Sequence, residues 1–397
     1  MKCACLVIAC LMVSSILLVN LQDTKAAQAT AENTWQALQS LPETFSGTAV
    51  TIDDKIYIFS SNQKYITRFF VYDTVSQTLN ETASMIIQRK GCGLAVIGQK
   101  IYIIGGQHSY PLEGGAIAAY PTNVTEAYDT QTGTWETKQP TIESANVVMA
   151  NAVNGKIYAM TYSYMDVYDP EADNWTRISA LPQDVSYPSC SCAIDDKIYV
   201  ITDNTAATTI GEGNLHIYDT TTDAWSTGAN LPTFYKQSLM VATTGEHAPK
   251  QIYLVGGAIR HLSPFGDFEA VNATFSYDPV SDSWSRAADM PTARHSAAVA
   301  IVADRIYALG GTIQAYWLSP SQTGAVEVYT PFGYVAEQPS ASPSNGPESS
   351  QPDPPEATAV IVGVVVGAVV AGTAIAATAI LVYRHKRLKT AKQNKPN

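Results

Sequence analysis

The sequence predicts an all-β fold, a six-bladed β-propeller closed by an N-terminal strand, together with one C-terminal transmembrane α-helix. An Ile-Tyr pair recurs six times, from Ile56-Tyr57 to Ile306-Tyr307, and a Tyr-Asp pair follows five of them, from Tyr72-Asp73 to Tyr277-Asp278. A Leu or Trp stands six residues after each of these Asp residues. Repeats of this period read as four-stranded units, and such units bury both faces only by packing around an axis.

The first 29 residues are predicted to be a secretory signal peptide. Lys2 precedes an apolar run over residues 4–19, and Ala27 and Ala29 follow at the A-x-A spacing of a cleavage site. An uncleaved membrane anchor is the alternative, but the apolar run is short for a membrane span.

Residues 30–335 carry the repeats and are assigned to the propeller. Each unit contains a small apolar strand, a second strand with Ile-Tyr, a third that ends at Tyr-Asp and a fourth that carries the Trp. Alternating β-branched and aromatic residues, with turn residues such as Asp195-Asp196 between them, favour strands throughout.

The units resemble kelch repeats, in which a Gly-Gly pair follows the second strand and a Tyr and a Trp come later at short spacing. Gly105-Gly106, Gly256-Gly257 and Gly310-Gly311 match this pattern. The first, third and fourth units depart from it, because other residues replace the glycines. The replacements are Ser60-Ser61, Thr161-Tyr162 and Thr202-Asp203.

The N-terminal end of the repeat region contains the Trp that the sixth unit lacks. The sixth unit reaches Tyr329 and then enters a Pro-rich segment without a Trp, whereas Trp35 stands unassigned seven residues before Pro42. The same spacing to Pro follows three other repeat tryptophans. We therefore expect the segment around Trp35 to be the fourth strand of the last blade, which closes the ring and removes its free edges.

Three C-terminal segments predict a membrane-attached protein. Residues 336–358 are rich in Pro and Ser and are expected to form an extended stalk. Residues 359–383 carry no charge and are long enough to span a bilayer as a helix. Residues 384–397 are basic, which places them in the cytoplasm and the propeller outside the cell, as in a single-pass type I protein of the cell membrane. Gly363 and Gly367 favour a homodimer through this helix, and a helix merely rich in Ala and Gly is the alternative.

Composition excludes two classes of function. The net charge is −11, and the basic residues of the C-terminal tail offset part of a larger negative charge on residues 26–383. Nucleic-acid binding depends on neutralising phosphates, so we expect no nucleic-acid partner. With 46% hydrophobic and 15% charged residues, the chain is also neither disordered nor a coiled coil.

One face of the propeller is predicted to bind ligand. The turns between third and fourth strands have a constant length, whereas the loops between second and third strands vary widely. Variable loops on a rigid scaffold often carry function. These loops and the connections between blades contain aromatic residues and cations suited to an external protein or a glycan. The candidate residues are Arg89, Tyr110, Tyr187, Tyr235, Arg260, Phe265, Arg294, Tyr316 and Trp317.

A membrane-tethered carbohydrate-active enzyme with its site at the axial channel is the alternative function. The resemblance admits it, because galactose oxidase and secreted sialic-acid mutarotases are kelch enzymes. Neither the copper ligands of the first nor the acid and base residues of the second can be matched here. His108, His261 and His295 map to the same face without a metal-ligand spacing, so no metal and no cofactor is predicted. Carboxylates and Arg converging on the channel mouth would favour the enzyme, and a flat aromatic face would favour the binding protein.

Cysteines and sequons complete the sequence features. Cys92, Cys190 and Cys192 remain after signal-peptide removal, which allows at most one disulfide and favours buried small side chains. Four Asn-x-Thr sequons are candidates for N-glycosylation. They are Asn80, Asn123, Asn174 and Asn272.

Overall fold

The fold was analysed in a computed structural model. It describes residues 31–61, 67–111, 117–146, 148–161, 164–182, 188–203, 211–260, 268–316 and 319–336. These residues belong to one compact unit, Met1–Glu337. The predicted signal peptide, most of the stalk, the transmembrane helix and the basic tail lie outside them. Within the described ranges no helix has the length and apolarity needed to cross a membrane.

All the regular secondary structure of the described residues is β. The strands are β1 Thr34–Ala37, β2 Ser46–Ile52, β3 Lys55–Ser61, β4 Thr67–Asp73, β5 Thr78–Glu81, β6 Arg89–Lys90, β7 Gly93–Ile97, β8 Lys100–Ile104, β9 Gln107–Pro111, β10 Ile117–Pro121, β11 Thr125–Asp129, β12 Thr134–Lys138, β13 Met149–Val153, β14 Lys156–Met160, β15 Tyr164–Asp169, β16 Asn174–Ala180, β17 Pro188–Ile194, β18 Lys197–Asp203, β19 Gly211–Asp219, β20 Ala224–Thr227, β21 Leu231–Phe234, β22 Leu239–Ala242, β23 Ile252–Val255, β24 Ala258–Arg260, β25 Phe268–Ala270, β26 Thr274–Asp278, β27 Ser283–Arg286, β28 Ala298–Val302, β29 Arg305–Leu309, β30 Thr312–Tyr316, β31 Ser319–Gln322 and β32 Val326–Thr330.

The repeats form antiparallel sheets of one design. Sheet 1 is β2-β3-β4-β5, sheet 2 is β7-β8-β11-β12, sheet 3 is β13-β14-β15-β16, sheet 4 is β17-β18-β19-β20, sheet 5 is β22-β23-β26-β27 and sheet 6 is β28-β29-β32-β1. Sheet 4 has a fifth strand, because β21 also pairs with β19. Their first strands make contact in turn, β2 with β7, β7 with β13, β13 with β17, β17 with β22, β22 with β28, and β28 with β2. The sheets therefore form a closed ring with the first strands at its centre.

The Ile of each Ile-Tyr pair marks the packing between neighbouring sheets. Ile56, Ile101 and Ile306 are completely buried, and their equivalents in the other sheets are buried to the same degree. The second strand lies inside its sheet and both of its faces are covered by neighbours, so this position excludes water in every repeat. Burying an Ile side chain contributes about 2 kcal/mol.

The ring closes without a covalent link, as the sequence predicts. β1 pairs antiparallel with β32, which places Trp35 opposite Tyr329. The indole Nε1 of Trp35 donates at 3.0 Å to the carbonyl of Ala288, which lies in the connection that leaves sheet 5. Trp135, Trp175 and Trp284 each donate in the same way to a carbonyl in the connection that leaves the preceding sheet. β1 therefore reproduces the contacts of a fourth strand.

The Tyr-Asp pairs build the turns between third and fourth strands. Oδ1 of Asp73 accepts hydrogen bonds from Val75 N at 3.1 Å and Ser76 N at 2.8 Å. The turns after Asp129, Asp169, Asp219 and Asp278 use the same Asp position as acceptor. Hydrogen bonds from the turn lower the pKa of all five carboxyl groups. Local hydrogen bonding thus explains the constant turn length.

The Gly-Gly pairs join neighbouring sheets. The N–H of the second glycine donates to the next sheet's connection, from Gly106 to Ala145 O at 3.0 Å and from Gly257 to Arg294 O at 3.0 Å. Gly106 has a φ of 91°, and a Cβ there would lie 2.7 Å from Cys92 Sγ. Only glycine satisfies both the left-handed backbone and this close approach.

Candidate functional site

The loops between second and third strands of three sheets fold into additional strands on one face of the ring. We call this the loop face, and the opposite face, with the short 1–2 and 3–4 turns, the turn face. Loop sheet A, from sheet 2 and its entering connection, has the order β6-β9-β10. Loop sheet B, from sheets 5 and 6, has the order β24-β25-β30-β31. The described parts of these loops are therefore held by main-chain pairing.

Loop sheet B joins loops of two neighbouring sheets. β25 pairs with β30, which places Phe268 opposite Ala315 and Glu269 opposite Gln314. Isolated bridges from Lys236 to Ala258 and from His295 to Thr312 tie the sheet to the connections beneath it. This pairing gives the loop face a continuous β surface across two sheets.

A cavity of about 560 Å³ opens on the loop face at the centre of the ring. We call it the mouth cavity. It lies where the first strands of several sheets begin, so it is lined by residues far apart in the sequence. Its polar lining residues are Ser46, Thr48, Ser60, Thr67, Arg89, Lys90, Ser189, Gln237, Ser238 and Ser296. Apart from Lys90 and the ion-paired Arg89, the described lining residues are uncharged.

A second cavity of about 280 Å³ continues between the first strands and is mostly apolar. Val148, Met240 and Val299 are among its lining residues. Thr48, Cys92 and Leu239 line both cavities. The two cavities therefore share lining residues, and apolar surface predominates in both.

Arg89 and Arg294 do not present exposed cations, contrary to the sequence-based expectation. Arg89 is 2% exposed and Arg294 is completely buried. Arg89 Nη1 donates to Glu126 Oε2 at 2.5 Å, and Arg294 Nη2 donates to Glu327 Oε2 at 2.8 Å. Burial lowers the pKa of Arg294, an effect that Glu327 opposes. Each arginine fixes a connection to its own sheet.

The two ion pairs occupy equivalent positions in sheets 2 and 6. Arg89 Nη2 also donates to Ile103 O, and Arg294 Nη2 to Ala308 O, both in the second strand. The sequence contained a signal for this pairing that was missed. Glu126 and Glu327 each stand two residues before the Tyr of the third strand. Arg89 and Arg294 each stand eleven residues before the first residue of the second strand.

Sheets 3 and 4 carry other titratable residues at the position of these glutamates. Asp166 of sheet 3 is 2% exposed, and Arg177 Nε donates to its Oδ1 at 2.9 Å. His216 of sheet 4 is 3% exposed, and its Nε2 lies 3.1 Å from Thr202 Oγ1. These groups are held inside their sheets by named partners.

The other predicted ligand residues divide into three groups. Tyr235 is half-buried, with its ring centroid 6.4 Å from that of Phe275. The backbones of Tyr110, Arg260 and Tyr316 lie in β9, β24 and β30, so the first belongs to loop sheet A and the other two to loop sheet B. The remaining candidates, Tyr187, Phe265 and Trp317, lie outside the described residues. Their roles stay predictions.

The titratable groups of the loop face are buried or held by local contacts. Burial lowers the pKa of Lys90, and it lowers the pKa of His295 to about 4, so this imidazole is neutral at pH 7. His108 Nδ1 lies 2.7 Å from Gln88 O, and His261 lies outside the described residues. The described part of the chain contains no group of three or more His, Cys, Asp or Glu able to hold a metal.

The three described cysteines are free thiols. Cys190 and Cys192 are buried, and Cys92 is partly buried beneath the mouth cavity. Burial raises the pKa of Cys92 to about 11 and that of Cys190 to about 12, and it raises the pKa of Cys192 as well. They are therefore protonated at neutral pH and act as small apolar side chains.

Comparison with protein families identifies the repeats. The family model described as "FKB95, Kelch-repeats domain" matches residues 18–248, which is more than half of the chain.

Curated relatives carry the same repeats. Kelch-like protein 26 of Danio rerio is 25% identical over 72% of this chain and 44% of its own length. Kelch-like protein terF of Aspergillus terreus is 28% identical over 55% of this chain and 48% of its own length. Kelch-like protein 36 of Mus musculus is 25% identical over 70% of this chain and 42% of its own length. The chain thus spans less than half the length of these relatives.

A solved structure has the same fold. The structure of YjhT superposes with a TM-score of 0.57 at 14% identity, covering 74% of this chain and 97% of that chain. At this identity the likeness concerns the fold alone. Together with the Gly-Gly, Tyr-Asp and Trp contacts of the sheets, these matches show that the chain belongs to the kelch-repeat family and that its ring of sheets is a β-propeller.

Proposed function

We propose that this chain is a cell-surface kelch-repeat protein whose six-bladed propeller binds another protein through the loop face. The observation that carries the proposal is the position of the two loop sheets. In the order of sheet contacts around the ring, sheet 2 lies across the axis from sheet 5. Loop sheets A and B therefore lie on opposite sides of the axis at the loop face.

The exposed apolar residues of the loop face support a protein partner. Tyr120 is 55% exposed at the edge strand of loop sheet A, Ile86 is 58% exposed, and Ile142 is 47% exposed. Ile313 of loop sheet B is also exposed. Exposed aromatic and aliphatic side chains beside ordered main chain are typical of protein-binding surfaces.

The proposed location rests on the sequence at both ends of the chain. Residues 1–29 would direct secretion, residues 336–358 would hold the propeller away from the bilayer, and residues 359–383 would span it. The tail, residues 384–397, would lie in the cytoplasm, and the span could pair two copies through Gly363 and Gly367.

Location is tested by adding protease to intact cells that express the full chain. We expect loss of the propeller and survival of a small tail fragment that reacts with an antibody against residues 384–397. Permeabilised cells are the control, because their tail is accessible. Complete protection of the propeller in intact cells would contradict the external location.

A carbohydrate ligand or substrate at the axis is the second candidate. The volume of the mouth cavity supports it, because about 300–1,000 Å³ is usual for small-molecule sites. The lining hydroxyl groups suit a sugar, whereas the described lining residues include no carboxylate that could act as acid or base. On the described residues, sugar binding is therefore better supported than sugar chemistry.

The binding assignment is tested with two probes, a biotinylated extract of cell-surface proteins and a glycan array. Tyr120→Ala and Ile142→Ala on the loop face are compared with Val75→Ala and Val280→Ala, which alter exposed residues of the turn face. We expect at least one loop-face change to weaken capture of a protease-sensitive component by about 2 kcal/mol, and the turn-face changes to have no effect. Binding lost only with the turn-face changes would refute the assignment. Binding only to the array would favour the second candidate.

A further inference from the structure

The four Asn-x-Thr sequons occupy two kinds of position in the fold. We propose that Asn80 and Asn174 carry N-linked glycans in the folded protein, whereas Asn123 and Asn272 are structural residues that stay unmodified. The proposal rests on the external location given above. Sequence alone does not separate the four sites, because each has the same motif.

Asn123 and Asn272 are equivalent residues of sheets 2 and 5, and each makes two hydrogen bonds to one residue of the following connection. We call this pair of hydrogen bonds the clamp. The carbonyl of Asn123 accepts from Thr141 N at 2.8 Å, and its Nδ2 donates back to Thr141 O at 3.4 Å. The carbonyl of Asn272 accepts from Met290 N at 2.9 Å, and its Nδ2 donates to Met290 O at 3.1 Å. Each Asn therefore secures the connection that leaves its sheet.

The threonines of these two sequons are inaccessible in the fold. Thr125 and Thr274, the first residues of β11 and β26, are completely buried. Asn123 and Asn272 themselves are only partly exposed. A glycan on either Asn would be attached to the same Nδ2 that contacts the connection.

Asn80 and Asn174 lie on outer strands, with their side chains exposed. Asn80 is in β5 and Asn174 in β16, and each of these is the fourth strand of its sheet. Thr82 is partly exposed and Thr176 is exposed. A glycan at either position projects from the circumference of the ring, so the loop face stays uncovered for the proposed partner.

The chemistry of attachment explains why folding makes the selection. A lipid pyrophosphate-linked oligosaccharide supplies the glycan. The bond from its sugar C1 to the pyrophosphate oxygen breaks, a bond from C1 to Asn Nδ2 forms, and Nδ2 loses one proton. The transfer acts on unfolded chain, so all four sequons are presented to it. A glycan on Asn123 or Asn272 replaces one of the two Nδ2 hydrogens and places a sugar beside the connection that Nδ2 contacts. We therefore expect chains modified at these positions to fold poorly and to be depleted at the cell surface.

The first experiment uses the full chain expressed in a glycosylating secretory host and recovered from the cell surface. Peptide mass spectrometry after amidase treatment should find converted Asp at positions 80 and 174 only. Asn80→Gln and Asn174→Gln should each remove one glycan step in gel mobility, and Asn123→Gln and Asn272→Gln should remove none. A glycan on Asn123 or Asn272 in the surface population would overturn the proposal.

The second experiment tests the clamp without glycans, using the full chain produced in a host that does not glycosylate. Asn123→Ala and Asn272→Ala should lower the melting temperature by about 2 °C or more, whereas Asn80→Ala and Asn174→Ala should leave it unchanged. Equal effects at all four positions would overturn the structural assignment. If the surface chain carries no glycan while protease shows the propeller outside, this proposal fails. If protease shows the propeller inside, the proposed location fails instead.

Discussion

Replacement of Trp35 by Ala tests the non-covalent closure of the propeller. The ring of Trp35 lies 5.3 Å from that of Tyr329 between centroids, and its Nε1 donates to Ala288 O. Trp284 makes the same contacts inside one continuous sheet, with a ring distance of 5.0 Å to Tyr277 and a hydrogen bond to Ala229 O. Trp284→Ala is therefore a matched control that changes the same environment without affecting the closure.

The expected loss for Trp35→Ala follows from its burial. Truncation of a completely buried aromatic side chain to Ala costs about 3–5 kcal/mol, and Trp35 is partly buried, so about two-thirds of that applies. The lost hydrogen bond adds about 1 kcal/mol. We expect the free energy of unfolding to fall by about 3 kcal/mol for Trp35→Ala and by a similar amount for Trp284→Ala.

Urea unfolding of residues 31–336, followed by tryptophan fluorescence and circular dichroism, measures both losses. The closure also predicts that the two variants differ in how they unfold. Trp35→Ala should make the N-terminal segment sensitive to limited proteolysis before global unfolding, because β1 is joined to its sheet only by pairing. An unchanged unfolding free energy for Trp35→Ala beside a large loss for Trp284→Ala would show that β1 lies outside the cooperative unit, and the reasoning would fail.

Three further substitutions test individual contacts by thermal or urea unfolding. Gln77→Asp should stabilise the protein by about 1 kcal/mol, because the buried Tyr72 hydroxyl has no hydrogen-bond partner among the described residues. In sheets 3, 4 and 5 an Asp at the corresponding position accepts a hydrogen bond from the equivalent Tyr, and no gain in stability would refute the comparison. Arg294→Met should lower the free energy of unfolding by about 3–5 kcal/mol, because Glu327 stays buried without its ion-pair partner. Adding Glu327→Leu to the same chain should recover most of this loss, and additive losses would refute the pairing. Burial acts to raise the pKa of Asp304, but hydrogen bonds from Thr244, His247 and Ala248 outweigh it, so the pKa is lowered in the folded protein. The stability that this carboxylate contributes above its unfolded pKa should therefore be lost as pH falls below about 4. Asp304→Asn should remove this part of the pH dependence.

Much of the fold could be predicted from the sequence because local chemistry repeats. The Tyr-Asp pairs specify their own turns, since the Asp carboxylate binds the amides two and three residues later. The spacing of Trp35 and Pro42 indicated the closing strand, and β1 indeed pairs with β32. Such features depend on near neighbours in the chain, so they are visible without the tertiary structure.

The candidate site was less predictable because its geometry arises between distant segments. Arg89 and Arg294 were placed among exposed cations, and only the fold shows each of them beside a buried glutamate. Loop sheet B depends on pairing between β25 and β30, which belong to loops of different repeats. Sequence spacing contains no information about that register.

The sequence by itself determined the repeat, the number of strands in each unit and the residues that form the core, because a period of two and fixed turns leave few arrangements for an apolar strand. It also indicated which face carries the variable loops. The tertiary structure alone decided which charges face solvent, how two loops join into one sheet and which residues line the mouth cavity. Burial and solvation of a charge depend on the summed surroundings of several sheets, and those surroundings exist only when the ring has closed.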